Sequence, residues 1–171
     1  IGAHPELPPA AVIRSAGVLL VDHHGLEGTL RAVRIARDNG IAVVADFERD
    51  PGPPFEEILS LVDHLIVSDG FARQLTAGAD PRTAAVKLWN GNRRAVVVTS
   101  GASGCWYVSG GEDLRQTRAR HFPAFSVEAI DTTGCGDVFH GVYAATLARG
   151  MSLDQRVRWA SAAAALKATR R

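Results

Sequence analysis

Cysteine, charge of one sign and long apolar runs are all scarce in this 171-residue chain. Two cysteines, Cys105 and Cys135, make no disulfide framework and no CxxC or Cys/His metal spacing, which suits a reducing compartment. Nineteen Lys and Arg against 18 Asp and Glu leave a net charge of +1 spread along the chain. That balance excludes the electrostatic footprint of a nucleic-acid or anionic-membrane binder, and the locally basic terminal pair Arg170-Arg171 does not extend into a basic run. No apolar stretch exceeds strand length, and no leader pattern, internal repeat or low-complexity tract appears, so a cytoplasmic location is expected. The Gly-Lys-Ser/Thr run of a Walker A loop is absent as well. At 46% hydrophobic content the chain is long enough to bury one core, read as a single α/β domain over 1–171.

The informative block is Asp131-Thr132-Thr133-Gly134-Cys135-Gly136-Asp137, followed by an almost wholly apolar run to Gly150. Gly134 and Gly136 predict a tight turn leading straight into a helix. At such a helix start, unpaired N–H groups and the positive end of the dipole face outward together and attract an anion. Asp137 falls in the first turn, beside whatever binds there. An anion acceptor next to an ionised base is what phosphoryl transfer to a hydroxyl requires. A Rossmann fingerprint does not fit, because Phe139 stands where its third glycine belongs. The competing structural reading is a glycine turn that starts a buried helix, with Asp137 as a capping residue.

This block resembles the second signature of the ribokinase, or PfkB, carbohydrate kinases, usually Asp-Thr-x-Gly-Ala-Gly-Asp. The resemblance implies that Asp137 is the catalytic base and that Gly134, Cys135 and Gly136 form an anion hole for the phosphoryl group in flight. Cys135 replaces the common Ala, a change that a backbone anion hole tolerates. Asp131 and Thr133 match positions that, in members using K⁺ or another monovalent cation, help bind that ion. A second segment, Ala95-Val96-Val97-Val98-Thr99-Ser100-Gly101 with Gly104 beyond it, reads as a buried strand delivering a glycine loop. It is similar to the family's Val-Thr-x-Gly-x-x-Gly segment, which places Thr99, Gly101 and Gly104 at the nucleotide phosphates. A plain strand-to-hairpin turn is the alternative there.

One departure stands out. After the apolar run 64–68, many relatives carry Asn-x-x-Glu, whose Glu organises magnesium through water. The aligned positions here are Ser68, expected at the nucleotide, and Phe71, which has no carboxylate. Asp69 either substitutes or N-caps a helix over 70–77. The wording around Ser68 is nearer to the ketohexokinase and sulfofructose-kinase side of the family. ATP, Mg²⁺ and a small sugar are the implied ligands, with a homodimer formed through a small β lid. That lid and the family's N-terminal part are expected to be missing from this chain, as is a segment beyond the last helix that closes round adenine.

Periodicity supports a layered α/β fold of ribokinase type, with a mostly parallel sheet and helices on both faces. Strands are expected over 17–21, 41–45, 64–68 and 95–99. Helices are expected from Leu26 to Gly40, over 55–62 and over 82–89, the last with Asp80 as N-cap and Pro81 at N1. A hairpin is expected from strands 105–108 and 114–118 around Gly110-Gly111. Ser152 and Gln155 form a capping box for a final helix with an apolar stripe through Leu153, Val157, Ala160 and Ala164. Asp22-His23-His24 follows a strand end and faces a ligand or, less in keeping with its two histidines alone, a metal. Asp46, Glu48 and Asp50 either face the nucleotide and its magnesium or form a solvated loop. His140 reads as a packing or capping residue. Two further functions remain open: a catalytically silent nucleotide- or sugar-binding regulatory module, and a kinase for a nucleoside or vitamin precursor.

Overall fold

A computed structural model describes residues 4–110 and 118–171. Four strands, Val18–Asp22 (β1), Ala42–Phe47 (β2), His64–Ser68 (β3) and Ala95–Thr99 (β4), lie side by side in sequence order and run parallel. Cys105–Ser109 (β5) and Arg120–Phe122 (β6) extend the sheet antiparallel beyond β4. The helices are Ala10–Arg14 (α1), Leu26–Asp38 (α2), Phe55–Leu61 (α3), Asp69–Leu75 (α4), Pro81–Leu88 (α5), Cys135–Ala148 (α6) and Leu153–Ala168 (α7).

Sequential parallel strands joined by crossovers of one hand send every linking helix to the same face. Helices α2 to α5 accordingly share one core with Val43, Ala45, Leu65, Val67, Val96 and Val98. The alternate residues Val44, Ile66, Ala95 and Val97 point to the opposite face, where Phe139 and Tyr143 of α6 and Val157 and Ala160 of α7 cover them. Both faces are therefore dry, which is why the strands read as continuous apolar runs. At the amino end of β3, the Tyr143 hydroxyl lies 3.1 Å from His64 Nδ1 and accepts from Arg156 at 3.2 Å, joining sheet, α6 and α7. Burial and the Arg156 charge lower the His64 pKa from 6.5 to about 3.

The expected helices and parallel strands form within a few residues of their sequence limits, and three local features differ or were not anticipated. The short α1 has no counterpart in the periodicity reading. The N-cap of α4 is Ser68, not Asp69: Ser68 ends β3 in the extended conformation a cap requires, and its Oγ accepts from the Phe71 N–H at 3.3 Å. Asp69 is consequently the first helical residue and pairs with Arg73 one turn on, at 2.8 Å. The expected return strand 114–118 falls almost wholly outside the described residues; the described partner of β5 is β6, with Cys105 opposite Phe122.

Candidate active site

Helix α6 begins at the carboxyl edge of the parallel sheet. Its N-cap, Gly134, has φ 75°, a left-handed conformation that strains any residue with a side chain. Val138 N–H closes the first helical bond on Gly134 O at 3.0 Å, and Cys135 N–H turns back to Thr132 O at 3.1 Å. Among the described residues, the N–H groups of Gly134, Gly136 and Asp137 have no partner. Gly136 differs from Gly134: its φ is not positive, and a Cβ built there meets nothing within 4 Å. Asp137 is exposed, and no described residue donates a hydrogen bond to its carboxylate.

Two cavities flank this helix start, and they share no lining residue. One, of about 450 Å³, brings together Asp22, Asp46 and Asp137 with Leu19, Val21 and Gly25. Asp22 and Asp46 sit opposite each other on β1 and β2, and Asp46 is in turn opposite Ile66 on β3. Burial pushes the Asp46 carboxyl above the usual carboxylate range, opposed by His140 and reinforced by the negative charges of Asp137, Glu48 and Asp22. His140, one turn into α6, is buried over this row with its Nδ1 3.3 Å from Asp46 Oδ2.

The other cavity, of about 470 Å³, lies on the far side of the helix start. Thr99, Gly101 and Gly104 form one rim, Cys135 and Gly136 another, and residues 124–127 and Ala129 with the small residues Ser161, Ala164, Ala165 and Ala168 of α7 make the walls. The loop is tightly built. Ser100 N–H donates to Gly104 O at 2.7 Å around a 3₁₀ turn, Gly101–Ser103, and His121 Nε2 lies 2.8 Å from Ser103 O. Gly104 has φ 86°, and a Cβ there would stand 2.1 Å from Phe122 O, so the loop is pressed against the chain leaving β6.

Thr99, Gly101, Gly104, Cys135 and Gly136 thus line one cavity and Asp137 the other, whereas Gly134, the cap of the helix start, and Ser68, Asp131 and Thr133 line neither. Ser68 is occupied as the α4 cap. Asp131 Oδ1 accepts from Thr133 N–H at 2.9 Å, and Lys167 Nζ is 3.9 Å from the other oxygen. The bonds from Thr133 hold the Asp131 carboxyl below the usual range. Phe71 is buried, its ring 6.1 Å from that of Phe55, so it does not fit a magnesium-organising role; Asp69, the carboxylate of α4, lines neither cavity. His24 turns back on Asp22, its N–H donating to Oδ1 at 2.8 Å, and no grouping of three or more metal-ligating side chains occurs among the described residues. None of the described helices is long and apolar enough to cross a membrane.

The sequence reading did not foresee the α7 wall or the Asp46–His140 contact. The run of small residues 160–165 was the available signal for the first, because small side chains let a helix approach a cavity closely.

The profile of the pfkB family carbohydrate kinases matches residues 3–171. Ribokinase of Haemophilus influenzae is 32% identical over 170 residues, covering 95% of this chain and 52% of that protein. Fructokinase-1 of Oryza sativa subsp. japonica is 27% identical over 179 residues, covering 95% and 54%. Among solved structures, the ribokinase of Thermotoga maritima superposes with a TM-score of 0.79 at 28% identity, over 98% of this chain and 55% of that one. The chain spans about half the length of the relatives it matches.

Proposed function

Because the chain belongs to the pfkB family of carbohydrate kinases, we propose that it carries the nucleotide-binding and phosphoryl-transfer machinery of an ATP-dependent sugar kinase. One observation carries this reading. A helix start with three N–H groups that have no partner among the described residues stands between two cavities, with Gly136 facing one and Asp137 the other. ATP occupies the cavity rimmed by Thr99, Gly101 and Gly104, its phosphates running toward α6. The sugar occupies the acidic cavity with a hydroxyl against Asp137.

Asp137 takes the hydroxyl proton as that oxygen bonds to the γ-phosphorus, and the bond from phosphorus to the β–γ bridging oxygen breaks to release ADP. The N–H groups of Gly134, Gly136 and Asp137 face the charge spread over the transferring group. The Cys135 N–H is not counted among them, because Thr132 O already takes it. Magnesium would accompany the nucleotide and offset the charge of its phosphates; Phe71 has no group to offer it. The relatives named ribokinase and fructokinase support a pentose or ketohexose as the acceptor. The buried Phe71 is the one observation favouring a silent binding module instead.

ADP release from ATP·Mg²⁺ against a panel of pentoses, ketohexoses and nucleosides tests the reading. The full-length protein should turn over on a sugar, and Asp137→Asn should remove most of that turnover while ATP binding stays close to wild type. Undiminished activity in Asp137→Asn refutes the base assignment. ATP binding by a full-length protein that turns over none of the panel favours the silent module.

A further inference from the structure

His140 makes three polar contacts at the carboxyl edge of the sheet, and the phosphoryl-transfer reading uses none of them. Its Nδ1 lies 2.7 Å from the Gly136 carbonyl oxygen and 3.3 Å from Asp46 Oδ2, and its Nε2 lies 3.2 Å from the Ile66 carbonyl oxygen. The ring thereby joins α6, β2 and β3, seated over the rung where Asp46 and Ile66 are opposite each other. The other groups around it are the Phe139 ring at 6.2 Å and, beyond Asp46, the carboxylates of Asp22, Glu48 and Asp137.

Carbonyl oxygens only accept hydrogen bonds. A neutral imidazole has one N–H, so it would leave a bare nitrogen facing either Gly136 O or Ile66 O across hydrogen-bonding distance. A ring with a proton on each nitrogen offers a donor to every neighbour, its Nδ1–H shared between Gly136 O and Asp46 Oδ2. Such a ring also neutralises Asp46 in a buried setting where an unpaired carboxylate is expensive.

The Gly136 carbonyl matters because it belongs to the same planar peptide as the Asp137 N–H. In a trans peptide the two point in opposite directions. Holding the oxygen under the His140 ring therefore aims the Asp137 N–H out of the helix end, toward the gap between the two cavities. We propose that His140 is a positioning residue: paired with Asp46, it fixes the Gly136–Asp137 peptide so that one donor of the anion hole and the base beside it keep their aim. This inference rests on the kinase reading for its consequence but not for its geometry.

The test is a double-mutant cycle on the full-length enzyme with ATP and the sugar it phosphorylates, using His140→Phe, Asp46→Asn and the pair. His140→Phe keeps a ring of similar size and removes both donors. Its kcat should fall about 100-fold, the cost of a donor displaced by about 1 Å. The KM for ATP should stay within about twofold, because neither His140 nor Asp46 lines the cavity assigned to the nucleotide. The double variant should be no slower than His140→Phe alone, since both changes disable one unit. Wild-type kcat in His140→Phe, or losses that multiply in the pair, would overturn the proposal.

Nitrogen-15 spectra of histidine-labelled wild-type protein supply a readout independent of turnover and of how the variants fold. They should show both His140 ring nitrogens engaged in hydrogen bonds, and a ring nitrogen free of one overturns the clamp. A wild-type protein that phosphorylates no sugar refutes the kinase reading, and the ring spectrum then decides the clamp alone.

Discussion

The two glycines of the turn before α6 should respond to alanine in opposite ways. Gly134 has φ 75°, so alanine there forces a side chain into the left-handed region, at a cost of about 1–2 kcal/mol. Gly136 is already helical, and its added methyl meets nothing within 4 Å. Alanine there relieves the entropic cost of glycine in a helix and should stabilise the fold by about 0.5–1 kcal/mol. For a domain of this size that corresponds to a rise in Tm of about 1–4 °C, with a fall of about 2–8 °C for Gly134→Ala. Activity should not follow stability. On the proposed mechanism the methyl of Gly136→Ala projects where the transferring phosphoryl group approaches the backbone, and turnover should drop about 100-fold. Thermal unfolding and ADP release on the same two variants make the comparison. A Gly136→Ala protein that is more stable and fully active would show that no ligand approaches this backbone. One that is less stable would show that the space above Gly136 is filled by the protein itself.

Restoring the acidic residue many relatives carry should fail. Phe71→Glu replaces a ring beside Phe55, in the core that also holds Phe47, with a carboxylate in a dry site. Loss of a buried aromatic alone costs about 3–5 kcal/mol, so Tm should fall by about 10 °C with no gain in magnesium dependence; an unchanged Tm refutes this placement of Phe71. Stability should also decline on acidification. His64 is protonated below 6.5 when unfolded but only below about 3 when folded. The unfolded state therefore binds more protons between those values, and stability should fall as pH drops through that window, by up to about 1.4 kcal/mol per unit. Urea unfolding across that range should show the slope in the wild type and a shallower one in His64→Phe; equal slopes refute the assignment.

The strands were legible because a sheet covered on both faces needs apolar residues along its middle, and β2, β3 and β4 supply them at 42–45, 65–67 and 95–98. The helix start at Gly134 was legible for a different reason: glycine, threonine and aspartate are dense there, and local backbone demands select them. Ser68 was assigned to the nucleotide because a motif position carries no information about which side chain ends up capping a helix. Asp46 and His140 lie far apart in the chain, and nothing local marks them as partners. Only the register that sets Asp46 beside Ile66, with α6 laid across both strands, brings them together. Long-range polar contacts leave no periodicity behind.

The two cavities meet at a single peptide and have no side chain in common. On the proposed assignment, donor and acceptor recognition would be separable traits. Substitutions at Leu19, Leu20 or Thr29 reshape one chamber without disturbing an atom that borders the other. A lineage with this arrangement could exchange the ligand of the first chamber by drift while inheriting that of the second intact, because the partition itself is main chain, on which side-chain mutation has little purchase.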